Sequence, residues 1–339
     1  MLLYFSYFCV LAIIKMDVMS KDLIYEKLIS AIREKIPHKA TLTNALVDLL
    51  CIEREAVYRR MRGDVAFSFT EIAAISNKFG ISLDSLVGES AAKSRPYQLS
   101  LVEYVDPIED DFKMWRIYNE RLHSVRNDLS SCSVECMNVL PATFLLDYDY
   151  ITRFYLCKWY NQYGDSDKTV HFRDIETSAE LLEVQRVTAA ESKYIRKTSY
   201  IMDPLIFQYI VNDIQYCRSI HQIDEENVRL LKQELLRFLD NMEILATRGV
   251  HSETGNPIQF YISSINFDAS YSYLETQEYQ ISIIRAFILN TVISLDRKAY
   301  EIIRNWLRSL LKSSTMISVS GEQQRILFFE KQRRIVDSL

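Results

Sequence analysis

Apolar residues recur at helical spacing along most of the chain, and polar or glycine punctuation cuts them into short segments. In "KDLIYEKLISAIREKI" a stripe runs through Leu23, Ile24, Leu28, Ile29, Ile32 and Ile36, the spacing of a surface helix with one buried face. Thr41 is placed to cap "LTNALVDLL", and "EREAVYRRMR" ends at Gly63. "SFTE", Ser68 to Glu71, is a capping box opening "TEIAAISNKF", which Gly80 stops. Ser82 would cap a last short helix, "LDSLV", closed by Gly88. Five helices are therefore predicted within a domain at 20–88, followed by a linker at 89–97.

From 98 to 339 the pattern stays mostly helical. "DYDYITRFYLCKWYNQYG" (147–164) holds seven aromatic rings. Asp203 followed by Pro204 reads as the N-cap and first residue of a helix. "EENVRLLKQELLRFLDNMEILA" (225–246), "KAYEIIRNWLRSLLKS" and "GEQQRILFFEKQRRIVDSL" are amphipathic helices, the last opened by Ser320 with Gln323 as a capping box. "NPIQFYISSINFDASYSYLE" (256–275) departs from this. Its alternation and its β-branched and aromatic content predict two strands, paired as a hairpin, and "SVECMNVLP" (133–141) could supply a third. The expected fold is mainly α: a five-helix N-terminal domain, then a larger, mostly helical α+β domain (98–339) with a small β-hairpin or sheet.

Composition narrows the class. A chain of 339 residues with 48% hydrophobic and 25% charged residues can bury the cores of about two soluble domains. Seven glycines and six prolines are too few for a turn-rich β architecture. The six cysteines form no CxxC pair, as expected of a reduced, cytoplasmic chain. Cys132 and Cys136 would stand one helical turn apart, but no partnering His or Cys pair has metal-ligand spacing, so neither metal nor cofactor is expected. The apolar run 2–14 is shorter than a bilayer span of roughly 18 to 20 residues, and no basic segment precedes it. Residues 1–19 are read as an extension, an over-long start being favoured over a packed arm or a membrane-associating segment. No stable membrane insertion is expected. Five scattered histidines, the absence of GxSxG, HExxH, P-loop and GxGxxG patterns, and a "DYDY" pair without an acid/base partner argue against an enzyme.

Charge sharpens one segment. The chain carries a formal net charge of -5, and residues 20–90 hold ten basic and ten acidic side chains. Yet "EREAVYRRMRG" concentrates Arg54, Arg59, Arg60 and Arg62. On a helical wheel Ile52, Val57 and Met61 fall on one side, while Arg54, Glu55, Tyr58, Arg59 and Arg62 fall on the other. Such a face suits a major groove. Arginine can fork onto guanine, glutamate can accept from cytosine N4, and tyrosine can reach phosphate or a thymine methyl. The helix start, with Arg54, Glu55, Tyr58 and Arg59, is expected at the bases and Arg62 at phosphate. An Arg-rich helix can also serve only as a solvated surface, but the position of this one, third of five, favours the binding reading.

The stretch "TNALVDLLCIEREAVYRRMRGDVAFSFTEIAAISNKFGISLDSLVG" (43–88) resembles the lambda-repressor-like helix-turn-helix regulators of the xenobiotic-response-element family. The resemblance implies double-stranded DNA as partner, phosphate contacts from Thr43 and Asn44, and base contacts from Arg54, Glu55, Ala56, Tyr58 and Arg59. It also implies a homodimer on two half-sites. Three positions depart from the family pattern: Val47 where a small residue is usual, Cys51 where the turn usually has glycine, and Arg60 where an apolar residue is usual. The remainder, through "YISSINFDASYSYLE" and "SGEQQRILFFEKQRRI", is similar to the C-terminal regions of long bacterial regulators, a likeness that implies no particular ligand.

For 98–339 two roles are open. The aromatic cluster including Tyr150, Phe154 and Trp159 would either form core, the commoner use of such spacing, or line a pocket for a small-molecule or peptide effector. The helix at 225–246 or the C-terminal helix would pair protomers. The basic face of "RILFFEKQRRI" reads first as a docked, solvated helix and second as an auxiliary phosphate contact. The function expected is a sequence-specific DNA-binding transcriptional regulator; the alternative is a module whose helix-turn-helix binds a protein partner.

Overall fold

The computed structural model describes residues 24–36, 39–81, 83, 86, 98–145, 147–163, 169–286 and 288–339. The chain divides into two units between Pro96 and Tyr97. The first contains α1 (residues 24–35), α2 (Lys39–Leu50), α3 (Arg54–Arg62) and α4 (Phe69–Phe79). The apolar stripes read from the sequence meet in one core: Leu28, Ile29 and Ile32 of α1, Leu42 and Leu46 of α2, Val57 of α3 and Ile75 of α4, closed by Phe67 and Ile81. The α4 capping box forms as expected, with Ser68 and Glu71 exchanging hydrogen bonds. Helix α2 begins at Lys39, so Thr41 lies inside its first turn instead of capping it. The apolar run 2–14, the linker and most of the expected fifth helix lie outside the described residues.

The second unit is built on an eight-stranded mixed sheet in the order β1-β7-β6-β5-β2-β3-β4-β8. Its strands are β1 (Gln98–Ser100), β2 (Cys132–Met137), β3 (Lys197–Met202), β4 (Ile258–Ile262), β5 (Tyr271–Glu275), β6 (Gln280–Arg285), β7 (Thr291–Ser294) and β8 (Thr315–Met316). Its helices are α5 (Glu109–Ser124), α6 (Ala142–Leu145), α7 (Asp149–Tyr163), α8 (Ala179–Ser192), α9 (Ile206–Ser219), α10 (Glu225–Arg248), α11 (Arg297–Ser313) and α12 (Glu322–Asp337). The mainly helical α+β class holds, with a sheet more extensive than a hairpin. β2, β3 and β4 run parallel, joined by helical crossovers, as parallel neighbours require. One face buries a large aromatic core against α7, α9, α10 and α12. On the other, Tyr300, Ile303, Leu307 and Leu310 of α11 cover Val134, Cys136 and Ile201.

Four local expectations are corrected. The two strands in 256–275 do not form a hairpin: β4 pairs with β3 and β8, and β5 with β2 and β6. Between them, Asp203 takes the backbone N–H of Phe267, which turns the chain away from β4. Cys132 and Cys136 lie on strand β2, not on a helix. The helix after Asp203-Pro204 starts at Ile206, because the Asp203 carboxylate bridges Leu205 N–H and Phe267 N–H, each at 2.8 Å. At α12 the N-cap is Gly321 at φ 69, without a side-chain cap from Ser320. A Cβ at Gly321 would stand 2.4 Å from the Met316 carbonyl oxygen, so only glycine fits the approach. Among the described residues no helix is long and apolar enough to cross a membrane.

Candidate nucleic-acid interface

Helix α3 is set by its two ends and by one buried side chain. Cys51 turns the chain out of α2 at φ 52, a left-handed backbone, and Glu53 in extended geometry starts α3. At the far end Gly63 takes φ 83. Asp64 N–H donates to the Arg59 carbonyl and Gly63 N–H to the Arg60 carbonyl, both at 2.9 Å. These paired bonds are a Schellman ending, which leaves few C-terminal carbonyls unmet. Val57 is fully buried and anchors the helix to α1, α2 and α4, with Ile52 and Met61 partly buried beside it.

That anchoring turns Arg54, Glu55, Arg59 and Arg62 to solvent, with Tyr58 and Ala56 half-buried at the edges. Across the turn the Arg54 guanidinium donates to the Asn44 side-chain oxygen, so two residues expected at the DNA already touch. Arg62 pairs with Asp64 at 2.8 Å and with Glu55 at 3.7 Å; these hydrogen bonds and charges raise its already high pKa. All three side chains are about half exposed or more, and such pairs are weak enough to exchange for a phosphate. Arg59 makes no ion pair with any described residue. Thr43 departs from its expected place: at 5% exposure it is buried. It lies in α2 beside the core residue Leu42, so only Asn44 of the two presents its side chain at the surface.

Arg60 faces the other way. Its guanidinium meets Glu71 at 2.9 and 3.1 Å, and the same carboxylate accepts from Ser68 N–H at 2.7 Å. Burial pushes the Glu71 carboxyl up, but the Ser68 and Arg60 bonds outweigh it and hold the group below its ordinary range. The arginine that departs from the family pattern thus fastens α3 to the cap of α4. Tyr25 adds a second fastening. Its hydroxyl donates to the Arg60 carbonyl at 2.8 Å and accepts from Phe67 N–H at 3.3 Å, and burial raises its pKa. Arg33 reaches the Met61 carbonyl at 3.3 Å. Neither Tyr25 nor Arg33 stands out in the sequence, because a polar tip on an otherwise apolar stripe has no periodic signature.

The aromatic candidates of the larger unit go to its core. Phe154 and Trp159 are buried, and Tyr150 packs on that core, stacked with Phe172 at 6.3 Å. Neither of the two cavities described in this unit is lined by Tyr150, Phe154 or Trp159; these rings fill space instead of enclosing it, Phe154 and Trp159 within the core and Tyr150 at its edge beside Arg153.

No curated protein and no solved structure matches the chain. Residues 21–109, which contain α1 to α4 and reach past β1, match the BetR domain, a helix-turn-helix-type DNA-binding domain family.

Proposed function

We propose that the chain is a sequence-specific DNA-binding transcriptional regulator of the lambda-repressor-like kind, with α3 in the major groove. The observation that carries this reading is the solvent face of α3, where four polar side chains project from a helix locked by Val57, Arg60 and Tyr25. A rigidly held donor face is what base readout needs, since hydrogen bonds to base edges discriminate only when their geometry is fixed. In this reading Arg54, Glu55, Tyr58 and Arg59 meet base edges, Ala56 offers a methyl contact, and Asn44 and Arg62 hold phosphates. Thr43 contributes through packing of α2. The chain acts as a homodimer on two half-sites, and the larger unit pairs protomers and senses an effector without catalysing a reaction.

The test is selection of bound fragments from a random duplex pool, with the full chain and a Tyr58→Ala/Arg59→Ala control. An enriched motif with two-fold symmetry, lost in the control, supports the reading. No enrichment over a folded control at low salt overturns it.

A further inference from the structure

The sheet face toward α5 and α8 breaks a rule of buried sheets. Strands covered on both faces read as near-continuous apolar runs, and Val134, Cys136 and Ile201 obey it on the α11 side. On the opposite face β2 presents Ser133 and Glu135, and their register neighbours include Thr198 and Tyr200 of β3 and Ser272 of β5. These five polar residues line a cavity of about 90 Å³, roofed by Tyr118 of α5 and by Thr143 and Phe144 of α6. A water needs roughly 10–15 Å³ of such space, so the chamber has room for a small organic molecule.

Only some of its polar groups are met: the Ser133 hydroxyl donates to the Tyr273 carbonyl at 3.0 Å, while others are left open. Glu135 has no hydrogen-bond or ion-pair partner among the described residues, nor does the Tyr118 hydroxyl. The Thr198 hydroxyl, on a residue 5% exposed, is buried without a partner as well. Leaving such groups unmet costs free energy that a folded protein normally avoids. Burial pushes the Glu135 carboxyl up, opposed by the charge of Arg285. Arg285 does not ion-pair with it and donates to the Leu140 carbonyl at 3.2 Å. The other basic groups at the wall are accounted for: Lys193 pairs with Glu253 at 2.7 Å, and burial, with the Lys193 charge, holds the His251 imidazole below its ordinary range. A cation with N–H donors is the chemistry that would meet these groups.

The lining also selects the body of that cation. Phe144 and Tyr200 lie 5.3 Å apart at the chamber, and aromatic rings attract an ammonium over their faces. Beyond Thr143, Thr188 and Ala189, which line both spaces, lies a second cavity of about 80 Å³ lined by Trp115, Tyr155, Leu156 and Leu181. We propose that these adjoining cavities bind a small alkylammonium ion, its charged nitrogen on Glu135 and Tyr118 and its carbon chain directed toward the apolar chamber. The site deepens the sensing role proposed for this unit, yet its occupancy can be read without DNA.

The experiment is titration calorimetry on the full chain without DNA, using butylammonium chloride, hexylammonium chloride, 1-butanol and sodium butyrate as probes. Butylammonium is expected to bind saturably, one per chain, at least tenfold more tightly than butanol or butyrate. Hexylammonium should gain up to roughly fourfold in affinity per added methylene. Glu135→Gln should lose at least tenfold for the amines, and Tyr118→Phe severalfold. If Glu135→Gln fails to fold, Tyr118→Phe and Thr198→Val carry the comparison. No saturable heat, as from a chamber that holds only water, would overturn the assignment. So would equal affinity for butanol and butylammonium, or amine binding unchanged in the folded variants. Failure here leaves the DNA selection result standing, and failure of that selection leaves this one intact.

Discussion

Single residues carry much of what holds α3 in one fixed position. Cys51 occupies φ 52, where a side chain is strained and glycine is not. Cys51→Gly is therefore expected to stabilise the N-terminal unit by about 0.5 kcal/mol, the relief of strain exceeding the added unfolded-state entropy; a lowered urea midpoint would refute the argument. Glu71 makes a different test, through pH. Its folded carboxyl is held below the ordinary glutamate value of about 4.3, so the unfolded chain binds more protons than the folded one in this window. Its stabilisation is fully present above that value and is lost as pH falls through the folded value. Glu71→Gln should cost about 1 kcal/mol at pH 7, and its stability should fall less than the wild type's between about pH 5 and 3. Amide exchange of α4 at the two pH values reads both effects. The turn and the cap spacing were legible as letters, Cys51 in place of glycine and Ser68 three before Glu71, whereas the reach of Arg60 across to Glu71 is a tertiary fact.

Elements with their own periodicity were legible, and elements defined by partners were not. The predicted helix at 225–246 appears as α10, Glu225–Arg248, because its stripe alone faces the core. The alternation in 256–275 marked β4 and β5 as strands, but alternation says nothing about the neighbour, and both pair with strands distant in sequence. Strand β3, "KTSYIM", escaped notice because five of its six residues are buried and no alternation survives. The chamber around Glu135 was equally hidden, since its residues come from separate strands and three helices. At the joint of these elements stands Asp203, fully buried, whose carboxylate accepts from Leu205 and Phe267 N–H. Asp203→Ala strands two buried donors and should cost about 3 kcal/mol or more, whereas Asp203→Asn keeps one acceptor and should cost about 1–2 kcal/mol. Urea midpoints of the full-length variants decide it; equal losses would remove the bridging role.

At the scale of the whole molecule, charge is partitioned. Residues 20–90 are balanced at ten basic and ten acidic side chains, so the excess that gives -5 overall lies elsewhere in the chain. An acidic protein gains little from long-range attraction to DNA and depends on local contacts, so its affinity should track the few phosphates it neutralises. Each phosphate contributes about 0.9 to the slope of log K against log salt. In the proposed complex Arg62 meets phosphate, and a homodimer presents it twice. Arg62→Ala should then lower the magnitude of the slope by about 1.8, where a single bound chain would lose about 0.9, and should weaken all sequences alike. Arg59→Ala should instead cost about 1–3 kcal/mol at one base pair of each half-site and relax specificity there. Fluorescence anisotropy over a salt series, on the selected site and on single-base variants, separates the two. If Arg62→Ala altered base preference while Arg59→Ala altered only the slope, α3 would lie reversed along the groove; the size of the slope change counts the protomers on the DNA in either orientation.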